Sequence, residues 1–75
     1  MNTQKALARN GKEIQVGHSY LFAEVRGTNV VRRVVRIIDA DSVEVYYCYP
    51  TERTKTTRWA CNALYEVDPD TGYEI

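Results

Sequence analysis

The sequence predicts an all-β domain of five short strands closed into a small barrel, and three observations predict it. Val30 to Ile38 carries six Val or Ile in nine residues, a composition that suits a pleated surface better than a helix. Turn residues punctuate the chain at short intervals: Gly17, Gly27-Thr28-Asn29, Asp39-Ala40-Asp41-Ser42 and Pro50. The whole chain is 75 residues, which supports one thin core burying about 60% of the surface exposed when unfolded. That length excludes a doubly wound sheet, a TIM barrel and any enzyme that closes two domains on its substrate. Closure is the economical arrangement for several short strands, because it removes exposed sheet edges.

Residues 1–12 are expected to form a loosely ordered tail. Gln4 to Arg9 favours helix, but one or two turns are marginal in water without packing. Asn10-Gly11 offers the alternative of a hairpin turn between Leu7-Arg9 and Lys12-Val16. The domain proper is expected over residues 13–68, beginning with a strand at Tyr20 to Val25. Val30 to Ile38 is the long second strand, and the Asp-rich turn after it leads into Val43 to Tyr49. Alternation there places Val43, Val45 and Tyr47 on one face, with Glu44 and Tyr46 on the other. Thr51 to Thr57 reads as a polar loop or edge strand, Arg58-Trp59-Ala60 resumes a pattern that can be buried, and Ala60 to Leu64 makes one helical turn. Tyr65-Glu66-Val67 is the last short strand, and residues 69–75 form an acidic tail. The expected core is Val16, Tyr20, Phe22, Val35, Ile37, Val43, Val45, Trp59, Leu64 and Val67.

Several landmarks resemble those of a known superfamily. Val16-Gly17, the stretch Val35-Arg36-Ile37-Ile38-Asp39, the return Val43-Glu44-Val45-Tyr46, and Ala60-Cys61-Asn62-Ala63-Leu64 follow the order seen in Tudor and related SH3-like barrels. The resemblance covers residues 16–67 and implies a five-stranded SH3-like barrel with a one-turn helix before the last strand. It also implies an aromatic cage for methylated side chains, with Tyr46 and Tyr49 at two cage positions. The other two cage aromatics fall at Glu24 and Val31, and the polar amide after the third strand falls at Thr51, so the cage is incomplete.

Ten Lys and Arg balance ten Asp and Glu, which removes whole-domain basicity as an argument for nucleic acid. The charges are segregated: residues 1–38 carry seven basic and two acidic groups, and residues 59–75 carry four acidic and no basic ones. Arg32 and Arg36 are expected on one strand face with Arg33 on the other. Together with Arg26, Arg53, Lys55 and Arg58 they would line one surface, interleaved with Tyr46 and Tyr49. The opposing expectation is that these cations pair across strands with Glu24, Glu44 and Glu52.

Catalytic inventory is thin. His18 is the sole histidine, Cys48 and Cys61 are thirteen residues apart without a CxxC, and the four glycines are isolated, so no phosphate loop, metal motif or nucleophile–base pair is legible. The expectation is therefore a cytoplasmic, non-enzymatic interaction module without cofactor or metal, binding a protein partner. Tyr46, Tyr49 and Trp59 would be its anchors, and Arg32, Arg36 and Arg58 would set orientation. A small nucleic-acid-binding barrel using the same arginines and tyrosines is the alternative. No segment has the apolar length of a membrane span, and a homodimer through a strand edge is left open.

Overall fold

The computed structural model describes residues 5–24, 27–47 and 53–75. Five strands form one antiparallel sheet: β1 (Ser19–Ala23), β2 (Asn29–Ile37), β3 (Ser42–Tyr46), β4 (Lys55–Trp59) and β5 (Ala63–Val67). A 3-10 turn over Ala60–Asn62 joins β4 to β5, at the place where the sequence predicts one helical turn. The strand order is β4-β3-β2-β1-β5. The two edges are thus consecutive in the chain, and among the described residues no ladder joins them.

Alternation explains most of the packing. On β1, Tyr20 and Phe22 point inward, and across the sheet Val34 and then Val43 and Val45 meet them. Val67 closes the core from β5, and Ala60 and Ala63 fill it around the 3-10 turn. Ala63 lies opposite Phe22 across the β1–β5 ladder, where a small residue leaves room for the ring.

Two bulges account for two differences from the expected core. The β2–β3 register runs Val34 to Val45 and then Arg36 to Glu44, leaving Val35 as the extra residue. Val34 is therefore buried and Val35 only half-buried, the reverse of the reading from alternation. The β1–β5 register likewise steps from Leu21–Tyr65 to Phe22–Ala63, so Leu64 is the extra residue and Ala63 takes the core position. Val16 is exposed, because it precedes the turn at Gly17. Trp59 is also exposed, because the β3–β4 pairing sets Arg58 against buried Val43 and turns its neighbour outward.

The tail expected over residues 1–12 is replaced, in its described part, by a hairpin. Ile14 N–H donates to Ala6 carbonyl at 2.8 Å and Ala8 N–H to Lys12 carbonyl at 2.9 Å, with Leu7 bridging Glu13. Gly11 at φ 86° makes the turn, a conformation an L side chain resists. Ala6, Ala8 and Ile14 are buried in the core, and this apolar face is what holds a segment too short to stand as a helix. Gln15 N–H donates to the Tyr20 hydroxyl at 2.8 Å, tying the hairpin to β1. The acidic end also folds back. Asp68 N–H donates to Tyr73 carbonyl and Ile75 N–H to Glu66 carbonyl, with Val67 bridging Glu74.

Candidate interaction site

The expected cationic surface is divided in two by the Val35 bulge. Before the bulge, Arg32 shares the inward parity of Val34; after it, Arg36 faces outward and Ile37 turns back to the core. Arg32 and Arg36 therefore do not share a face, and the expectation that they do is corrected.

Arg32 is buried, its side chain 6% exposed. Two of its nitrogens are held: Nε donates to Glu24 Oε2 at 3.1 Å, and Nη1 donates to the carbonyls of Tyr46 and Tyr47. It thereby fastens the end of β3 to the end of β1. Glu24 also accepts from Arg58 Nε at 3.1 Å, so one carboxylate holds two guanidinium groups. Arg58 further donates to Thr56 Oγ1 and to the Thr57 carbonyl. The Tyr47 ring lies beside both cations, 5.3 Å from Arg32 Cζ and 6.0 Å from Arg58 Cζ, where its electronegative face meets positive charge.

Burial on its own raises the Glu24 carboxyl, but hydrogen bonds from Arg32 and Arg58, with their charges, outweigh it and hold the group below the usual glutamate range. Glu24 is thus ionised and structural. Ala23, Glu24, Arg32, Tyr47, Arg58 and Asn62 line a groove of about 620 Å³ over this cluster.

The outer face of β2, β3 and β4 carries the second group. Arg36 Nε donates to Glu44 Oε1 at 3.1 Å, an exposed pair. Glu44 lies opposite Thr57, Tyr46 opposite Lys55, and Ser42 opposite Trp59, so these side chains share one side of the sheet. Trp59 is 61% exposed and borders two clefts. One, about 390 Å³, includes Ser42, Thr57 and Arg58, and the other, about 400 Å³, includes Leu7, Asp41 and Cys61. Arg53 and Lys55 are exposed at the start of β4. Arg26 and Tyr49 lie outside the described residues, as do Cys48, Thr51 and Glu52.

Glu24 and Tyr47 are the participants that the candidate set omits. Glu24 was legible as a member of the Tyr20, Phe22, Glu24 series on the inner face of β1, and Tyr47 as the end of the Val43, Val45 series on β3. The described part of the molecule places few reactive groups together. Cys61 is exposed and free, and His18 Nδ1 lies 2.7 Å from Glu66 Oε2 on the β1–β5 side. Among the described residues, no three His, Cys, Asp or Glu side chains converge to hold a metal ion. No protein-family model, curated protein or solved structure matches the chain.

Proposed function

We propose that this chain is a non-enzymatic interaction module that binds a protein partner on the outer face of β3 and β4. The observation that carries the reading is the indole of Trp59, 61% exposed between two clefts, while its neighbour Arg58 and Arg36 on the outer face are tied to carboxylates. Large, stiff aromatics surrounded by polar groups are the usual anchors of protein interfaces. Trp59 and Tyr46 are the anchors here, and Arg36 and Lys55 set orientation at the rim.

Phosphate recognition needs cations that can exchange counterions for phosphate oxygens. Arg32 is buried beneath its own partners, and Glu24 and Glu44 lower the field of Arg58 and Arg36. We further propose that the sheet coils into an SH3-like barrel. Two β-bulges bend it, and the 3-10 turn carries the chain from one edge strand directly to the other, the connection that the sequence resemblance implies.

An amide chemical-shift titration with short single-stranded and duplex oligonucleotides, at low and then physiological salt, tests the functional reading. The expected result is an absence of clustered shifts at either salt. Shifts clustered on Arg32, Arg36, Tyr46 and Arg58 that fade as salt rises would replace it with nucleic-acid binding.

A further inference from the structure

We infer that the outer edge of β4 is a self-complementary docking edge on which a second copy of this chain pairs antiparallel about Thr57. The inference rests on the reading of the β3–β4 side as a protein-docking surface, and it names the partner. Two edges end the sheet, and the chain treats them differently. At β5, Arg9 N–H donates to the Ala63 carbonyl at 2.6 Å and Ile75 N–H to the Glu66 carbonyl at 3.0 Å, while Val67 bridges Glu74. Both ends of that edge are covered by the chain's own terminal segments. At β4, no backbone group among the described residues bonds the outer edge, where the Thr57 carbonyl accepts from the Arg58 side chain at 3.0 Å.

The ladder between β3 and β4 settles which groups point outward. Tyr47 N–H donates to the Thr54 carbonyl and Ala60 N–H to the Asp41 carbonyl. With the β3–β4 register these fix Val45–Thr56 and Val43–Arg58 as the hydrogen-bonded pairs, because such pairs alternate along an antiparallel ladder. The N–H and C=O of Lys55, Thr57 and Trp59 therefore face away from β3. They form a row of six backbone groups on a strand with no proline and no register shift against β3. Edges that remain monomeric are commonly blunted by a proline, a bulge or inward charge; β4 has no proline and no bulge, and its inward charge, Arg58, is neutralised by Glu24.

The side chains select the occupant and the register. Pairing β4 with its own copy about Thr57 puts Thr57 opposite the partner's Thr57 and Lys55 opposite the partner's Trp59, twice by symmetry. Each ammonium then meets an indole face, a favourable cation–π arrangement. A register centred on Lys55 would set two lysines opposite each other, and like charges directly opposed destabilise a pair. One centred on Trp59 would lose the flanking backbone bonds. The Thr57 register uses the outward groups of Lys55, Thr57 and Trp59, with the Thr57 carbonyl, already accepting from Arg58 Nη1, taking the partner's N–H on its second lone pair. It closes on itself by a two-fold axis, giving a dimer with a ten-stranded sheet instead of an open fibre.

Sedimentation velocity over about 10 µM to about 1 mM, the span of weak edge contacts, tests the pairing. The expected result is a rise from the 8.6 kDa monomer to twice that mass, with the largest concentration-dependent amide shifts at Lys55, Thr57 and Trp59. Thr57→Lys opposes two like charges across the axis and should weaken the dimer by about tenfold or more. Thr57→Pro deletes an outward N–H that β3 does not use, and should do the same. Thr57→Lys keeps the fold testable should the proline variant fail to fold, which circular dichroism would report. A monomer across the whole range, or a dimer that Thr57→Lys leaves intact, overturns the inference. With the oligonucleotide titration silent, such a monomer leaves the docking reading standing for a different protein; oligonucleotide shifts would overturn that reading itself.

Discussion

Replacing Glu24 with glutamine removes the negative charge that Arg32 and Arg58 share. A hydrogen bond to a charged group contributes about 1.5–3 kcal/mol, and removing one partner of a fully buried ion pair costs about 3–5 kcal/mol. Arg32 is near the buried limit at 6% exposure and Glu24 is 14% exposed, whereas Arg58 at 23% is better screened by water. Glutamine retains one acceptor oxygen, so the expected loss is about 2–3 kcal/mol, below the fully buried figure. A chain of this size has about 4–11 kcal/mol of stability in all, and such a loss lowers Tm by about 10–20 °C. Urea and thermal melts followed by far-ultraviolet circular dichroism measure it. Glu44→Gln is the control, since its Arg36 partner is 62% exposed and such pairs contribute about 0–1 kcal/mol. The pH dependence gives a second readout. A carboxyl held below its unfolded-state value supplies stability that is present above the unfolded pKa and is lost as pH falls through the folded one. The wild-type protein should therefore lose stability on the acid side more steeply than Glu24→Gln. Equal costs for Glu24→Gln and Glu44→Gln would refute the reasoning.

Two further predictions concern the core. Ile14→Ala should destabilise by about 2–4 kcal/mol in the same melts, because Ile14 is buried in the hairpin that covers the sheet; a tail would make the change neutral. Tyr20→Phe should cost about 1–2 kcal/mol near neutral pH by leaving Gln15 N–H without its acceptor. The Tyr20 hydroxyl is raised above its ordinary value, by burial first and by the nearby Glu66 and Glu13 carboxylates, against the lowering hydrogen bond from Gln15. A raised pKa supplies stability that is present below the unfolded value of about 10 and is lost as pH climbs through the folded one. Stability curves against pH should accordingly fall less steeply on the alkaline side for Tyr20→Phe than for the wild type.

Strand identity was legible in this sequence because β-branched runs and turn residues agree with one another. β1, β2, β3, β5 and the turn before β5 follow from that agreement, whereas the Thr-rich stretch that opens β4 reads equally as a polar loop or an edge strand. Facing was less legible, and the reason is local. A bulge adds one residue and inverts every side chain beyond it, so Val35 and Leu64 exchanged roles with Val34 and Ala63, and Arg36 parted from Arg32. Neither bulge is marked by a glycine, the usual sequence sign of one. Trp59 misled through its size: a large aromatic reads as core, but the parity of β4 had already given the inward positions to Thr56 and Arg58. The N-terminal hairpin was visible in Asn10-Gly11 and in the small Ala6 and Ala8, yet helix propensity pointed elsewhere and tertiary packing decided. At the site, pairing with Glu24 and Glu44 was foreseeable as an alternative to an open cationic patch. The sharing of Glu24 by two arginines was not, since it depends on β1 and β4 meeting at one end of the sheet.

Glu24 holds both Arg32 and Arg58 at the end of β1. Arginine Nε–Hε resonances in a nitrogen–proton correlation spectrum test this most directly, compared between the wild-type protein and Glu24→Gln. Two signals with slow solvent exchange, assigned to Arg32 and Arg58 and displaced or lost in Glu24→Gln while the remaining arginines stay in place, are the predicted result. Rapidly exchanging Hε signals for both residues, unchanged by the substitution, would contradict it.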